Sequence, residues 1–273
     1  MKSAVTISLV PEAKGGPFVF WEGLENGCAN AAQLGFDAVE VFAPGAAAID
    51  RKNLTHLLEK HHLALAALGT GAGWLIHKWH LCHPSAEVRR QAREFVRQLI
   101  ELAGQFGAPA IIGSMQGRLE GEVSRAQALG WLREALEDLA SQAAQHGQPL
   151  LFEPLNRYET NVFNRVSDAA AFLETLNGSN VKLLADLFHM NIEEISIADS
   201  LRAVGRHLGH VHFVDSNRSA IGFGHIEVEP IIRALRAVDY NGYLSAEILP
   251  LPDSETAARQ TIRAYQRLTA SQD

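Results

Sequence analysis

"VKLLADLFHMNIEE", residues 181–194, is an apolar run that ends abruptly in charge. Val181 to Ala185 have the length and composition of a buried strand. Asp186 and His189 then arrive, followed by Asn191, Glu193 and Glu194. Two readings compete. Either Asp186 ends a strand and Asn191, Glu193 and Glu194 form a solvated lead into the next helix, or the segment rims a site in which Asp186 and His189 have chemical work. The neighbours decide between them, because the same motif recurs. "PLLFE" (149–153) stops at Glu153, "GHVHFVD" (209–215) carries His212, and "GYLSAEI" (242–248) stops at Glu247.

The rest of the chain extends the pattern towards the N-terminus. "AVTISLV" (4–10), "AVEVFA" (38–43), "LALAALGT" (63–70) and "APAIIGS" (108–114) read as four further strands. Between strands lie helical patterns at 25–36, 53–62, 86–107, 124–147, 167–177, about 197–207, 228–238 and 254–269. The 86–107 segment has apolar residues at three-and-four spacing and Gly107 as a stop; Ser124 is placed to cap the next helix. Eight βα units without a linker predict one (β/α)₈ TIM barrel spanning 1–273 as a single catalytic domain. A doubly wound open sheet is the alternative, but no glycine-rich phosphate loop follows the first strand.

Composition narrows the class. The chain has 273 residues and a net charge of -7, a poor footprint for nucleic acid. Cys28 and Cys82 form no CxxC pair, which argues against a disulfide framework or a thiolate zinc site. No apolar run reaches the ~18 residues of a membrane span, and the N-terminus lacks a signal-peptide pattern. A cytoplasmic protein that binds neither membrane nor nucleic acid is the expectation.

In a barrel, chemistry gathers where strands end. Glu153, Asp186, His212 and Glu247 would all face one rim. A charge closing an apolar run costs several kcal/mol unless it is paired or metal-bound. Three carboxylates crowded together repel and want a cation. Oxygen-rich ligands with one imidazole suit Mn²⁺, Mg²⁺ or Co²⁺, with Zn²⁺ also compatible. The plain alternative is that the carboxylates cap helices or pair with Arg157, Arg218 and His210. A second layer follows in the same loops: Glu159, His189 and Arg218, which could reach polar groups of a bound ligand. Their plain alternatives are a capping or surface histidine and an Arg218–Asp215 ion pair.

"VKLLADLFHMNIEE", "EPLNRYET", "GHVHFVDSNR…GFGHIEV" and "GYLSAEI" closely resemble the sugar isomerase/epimerase family with the xylose-isomerase-like barrel. They resemble most its ketose 3-epimerase branch, which includes D-tagatose, D-psicose and L-ribulose 3-epimerases. The match is dense over about 149–248 and mainly architectural over 1–148. The resemblance implies an isomerase of carbohydrate metabolism. Glu153, Asp186, His212 and Glu247 would be its metal ligands, with Mn²⁺ as the first choice. Glu153 and Glu247 would also be its acid/base pair on opposite faces of the substrate. His189 and Arg218 would hold substrate oxygens, and Glu159 would contact substrate and support Glu153. Deprotonation beside a carbonyl would give an enediolate stabilised by the metal. Return of the proton to the other face epimerises; return to the next carbon isomerises an aldose and ketose. An isomerase of the hydroxypyruvate-isomerase type is therefore the alternative, with a dehydratase behind it. An apurinic endonuclease would want a basic groove, and a non-catalytic sugar-binding module would not need both glutamates. A homodimer or tetramer is expected from the same resemblance.

The front loops depart from that branch. Phe20, Trp21 and Trp74 could wall the sugar, or only pack a lid. His77, His80 and His83 in the 71–84 loop could form a second metal site, but no carboxylate accompanies them in sequence. Gln116 and Arg118 could touch substrate, and Glu40 could face the barrel interior.

Overall fold

The computed structural model describes residues 1–178 and 180–270. Among these, eight parallel strands close into a barrel in chain order: β1 (Lys2–Ser8), β2 (Ala38–Phe42), β3 (Ala64–Gly69), β4 (Ala110–Ile112), β5 (Leu150–Phe152), β6 (Val181–Asp186), β7 (Leu208–His212) and β8 (Tyr243–Ala246). The ring shuts through parallel pairing of β8 with β1.

The long helices begin and end where their sequences dictate. The first, α1 (Gly23–Leu34), stops at Gly35, whose φ of 88° only glycine adopts without strain. The second, α2 (Arg51–His61), is capped by Asp50, whose carboxylate accepts from the Lys52 and Asn53 N–H groups. Ala86–Gly104 buries Ala92, Val96, Leu99, Ile100 and Ala103 along one face. Arg125–Gln145 is capped as expected, with Ser124 Oγ accepting from Gln127 N at 3.2 Å. The remaining long helices are Val166–Leu173, Ile197–Val204, Val228–Ala237 and Ser254–Thr269.

Two short helices differ from the expectation. Ala72–His77 folds within the 71–84 segment, read from sequence as an irregular loop. Leu187–Glu193 starts directly at the end of β6. Helices of under two turns carry too few apolar repeats to stand out in sequence.

Alternation along the strands explains how the rim is built. The lumen is filled by Ala4, Ala38 and Ala66 against Tyr243, and by Ala67, Ile111, Leu151 and Leu184. Two residues further along, the same inward side carries Thr6, Glu40, Glu153 and Asp186. The apolar plug thus gives way to a polar layer at the C-terminal mouth.

Candidate active site

Asp186 ends β6 and stands beside His212, its register partner at the end of β7. Glu153 follows β5, and Glu247 follows β8. One ligand atom from each of Glu153, Asp186, His212 and Glu247 lies within 4.8 Å of all the others. His212 Nδ1 is at the centre, 3.1 Å from Asp186 Oδ2, 3.4 Å from Glu153 Oε1 and 3.6 Å from Glu247 Oε2. Glu153 Oε1 is buried with no hydrogen-bond partner. Such an oxygen is costly unless something positive meets it. Three carboxylates, one of them with an orphaned oxygen, and one imidazole fit a hard divalent cation.

Asp186 satisfies both readings of its segment at once. Oδ1 caps the following helix, accepting from Phe188 N at 2.7 Å and His189 N at 3.1 Å. Oδ2 is left for the His212 side of the cluster. Of the plain pairings, Glu247 with Arg218 exists, Nη2 to Oε2 at 3.1 Å. Arg157 instead grips Glu193, and His210 bonds Glu40.

Charge in this pocket is strongly perturbed. Burial pushes the Glu153 carboxyl up, to about 8, against the pull of His212 and with help from Glu247 and Asp186. Burial also raises Glu247, opposed by His212 and Arg218. For His212, burial alone would favour the neutral ring, but Glu247, Glu40, Asp186 and Glu153 outweigh it and raise the pKa well above the ordinary value. Its Nε2 lies 3.3 Å from Glu40 Oε1, so a buried carboxylate orients the ring from behind. Glu40 faces the interior, as expected.

The second layer is held as tightly. His189 Nδ1 accepts from Asn156 N at 3.3 Å and Asn156 Nδ2 at 2.8 Å. That sets the proton on Nε2, which is buried, unpartnered and 3.8 Å from Glu153 Oε1. Burial lowers the His189 pKa, so a neutral N–H donor faces the site. Arg218 bridges Glu159, Nη1 to Oε1 at 3.0 Å, and Glu247. Asp215, the partner considered for Arg218, instead accepts from the Ser216, Gly222 and Ile226 N–H groups and shapes the loop.

The model of the family described as xylose isomerase-like TIM barrel matches residues 28–268. The chain belongs to this family. Among its relatives, an L-ribulose 3-epimerase of Methylomonas sp. (strain DH-1) is 30% identical over 243 residues, covering 85% of this chain and 83% of that protein. A 3-dehydro-D-guloside 4-epimerase of Escherichia coli (strain K12) is 29% identical over 232 residues, covering 79% and 83%. A crystal structure of D-allulose 3-epimerase from Methylomonas sp. superposes with a TM-score of 0.81 at 26% identity, covering 98% and 99% of the two chains.

Within this family barrel, a cavity of about 360 Å³ opens over the cluster and is lined by Glu153, Glu159, His212, Arg218 and Glu247. Trp74 lines it, but Phe20 and Trp21 do not. Phe20 pairs its backbone with Ile7 and is buried, and both aromatics line a separate cleft beside Ser254 and Arg259. Phe18 takes their place, stacked on Phe42 at 4.5 Å. Glu12 and Lys14 of the same loop also reach the mouth, which no pattern in the sequence marks.

Gln116 and Arg118 act from behind the cavity. Gln116 Nε2 donates to the Glu153 carbonyl at 2.8 Å, and Arg118 Nη1 to the Glu159 carbonyl at 2.7 Å. Glu193 and Glu194 are not a solvated lead. Glu193 is buried and accepts from Arg157 N at 2.6 Å, while Glu194 accepts from Val166 N at 2.9 Å and Ser200 Oγ at 3.0 Å. Glu193 staples the loop carrying Glu159 to the helix carrying His189, and Glu194 ties the start of Val166–Leu173 to Ile197–Val204. No helix among the described residues is long and apolar enough to cross a membrane.

Proposed function

We propose that this chain is a divalent-metal-dependent sugar epimerase, specifically a ketose 3-epimerase in which one glutamate removes a proton from carbon and a second glutamate returns a proton to the opposite face. The observation that carries the reading is the convergence of Glu153 and Glu247 on one cavity, with the His189 Nε2–H and the Arg218 guanidinium beside them. The relatives named as 3-epimerases support the same reading.

Held by Glu153, Asp186, His212 and Glu247, a divalent ion, Mn²⁺ first, would draw electron density from neighbouring substrate oxygens and make the C–H between them more acidic. One of the two glutamates then takes the proton from one face of the carbon, and the other returns a proton to the opposite face. The raised pKa of each carboxyl brings it nearer to neutral pH, where a group can both accept and donate. His189 Nε2–H donates to a substrate oxygen, and Arg218, anchored by Glu159, steadies the negative charge that develops. Phe18 and Trp74 give the sugar an apolar wall and limit water. The reading extends to one catalytic domain over 1–273, a homo-oligomer and a cytoplasmic location.

The test is a panel of ketoses and ketose phosphates incubated with Mn²⁺ in deuterium oxide. Deuterium at C3 with the C3 epimer as product is expected. Deuterium at C1 or C2 with an aldose product would move the reaction to isomerisation, and exchange at C4 to the other epimerase chemistry among the relatives. No exchange in any sugar would leave a binding module and overturn the proposal.

A further inference from the structure

His80 is wholly buried in the third βα loop, yet its Nε2 has no hydrogen-bond partner. Its other ring nitrogen lies 3.5 Å from Cys82 Sγ, whose thiol donates to the Gln116 carbonyl at 3.0 Å. That leaves the Nε2 lone pair free. Glu120, from the fourth loop, comes to 3.8 Å from this nitrogen, and His83 completes a group whose ligand atoms all lie within 4.8 Å of one another. The carboxylate that the sequence failed to supply therefore arrives from a different loop. His77 takes no part and stacks on Trp79 at 4.2 Å.

We propose that His80, His83 and Glu120 form a second metal site, distinct from the four-residue cluster, that takes Zn²⁺ or a similar borderline ion. Two imidazoles and one carboxylate suit such an ion, with water in the remaining position.

The surroundings are built for a fixed geometry. Leu81 N donates to Met115 O at 2.9 Å, joining the two loops. A Cβ at Gly117 would collide with the His80 ring and Cys82 Sγ, so the fourth loop presses directly on the ligand. One contact competes: His83 Nδ1 accepts from Ser85 N at 3.0 Å. Coordination through either nitrogen ends that acceptance, since the lone pair at Nδ1 goes to the metal or to the ring proton, and the exposed Ser85 N–H passes to water. Arg89 points its guanidinium at the His83 and Pro84 carbonyls and over the Trp131 ring. Trp74 packs edge-on against His80 at 5.5 Å, so the ion would brace one wall of the cavity from behind.

The full chain, stripped with chelator, is titrated with Zn²⁺ by calorimetry and with Co²⁺ by visible absorption. Two ions per chain are expected for the unaltered protein. The double variant H83A/E120A, at half-exposed positions, should bind one ion, with unchanged circular dichroism. D186N, which opens the other cluster, should keep the second ion and the intense Co²⁺ band of a low-coordinate site. An ion count that H83A/E120A leaves unchanged would overturn the proposal, whatever becomes of the epimerase reading, because an ion held by the four-residue cluster is lost in D186N and kept in H83A/E120A.

Discussion

Gly113 and Glu153 are in contact that leaves no room for a side chain: a Cβ on Gly113 would fall well inside van der Waals distance of Glu153 Oε2. The glycine at the end of β4 is therefore part of how the carboxylate at the end of β5 is aimed. G113A should push that carboxylate out of line. A displacement of about 1 Å at a reacting group costs on the order of 10²-fold in rate. The expected result is a fall of that size in kcat/KM with a melting temperature close to that of the unaltered protein. Full activity in a folded G113A would show that the Glu153 position tolerates movement.

E153Q and E247Q separate proton transfer from binding. Each replacement keeps shape but removes a proton acceptor, so turnover should drop by at least about 10³-fold while sugar affinity changes little. Solvent-deuterium exchange divides the roles further. If one glutamate serves each face, each variant should lose exchange from one epimer more severely than from the other. Equal turnover in both variants and the unaltered protein would end the two-glutamate mechanism.

E40Q tests the support behind His212. Glu40 Oε1 lies 3.3 Å from His212 Nε2, and Oε2 lies 2.9 Å from His210 Nε2. Removing this charge should weaken metal affinity by about 10- to 100-fold without touching a ligand. Calorimetric titration with Mn²⁺ reads it directly, and excess Mn²⁺ should restore much of the lost turnover. Unchanged affinity would reduce Glu40 to lumen packing.

The legible part of this molecule is what period-two alternation controls. Apolar runs closing on Glu153, Asp186, His212 and Glu247 predict one rim, because inward positions repeat every second residue. Their neighbours within a few residues, Glu159, His189 and Arg218, ride on the same loops. What stayed hidden depends on loops meeting in space. Glu120 reaches His80 only because the third and fourth loops cross, 40 residues apart in number. Phe18 rather than Phe20 faces the cavity because Phe20 is drawn into a backbone pairing with Ile7. Glu193 looked solvated because its partner Arg157 sits on another βα unit.

Asp215 gives a prediction in which pH has a definite sign. Its carboxylate accepts from Ser216 N at 2.7 Å, Gly222 N at 2.7 Å and Ile226 N at 3.1 Å. Burial alone would raise its pKa, but these backbone donors outweigh it, and the pKa is lowered. A carboxyl with a depressed folded pKa stabilises fully above its unfolded value, about 4, and loses that contribution as pH falls through the folded value. D215N offers one acceptor where three N–H groups converge, so it should cost about 2 kcal/mol at pH 7. The gap to the unaltered protein, measured by urea unfolding, should narrow below about pH 4 and not above. Turnover should fall as well, because the Asp215 carbonyl accepts from Arg218 N at 2.9 Å and the same loop holds Arg218 at a φ of 62°. A gap that stays constant from pH 7 to pH 3 would mean that the Asp215 charge does not hold this loop.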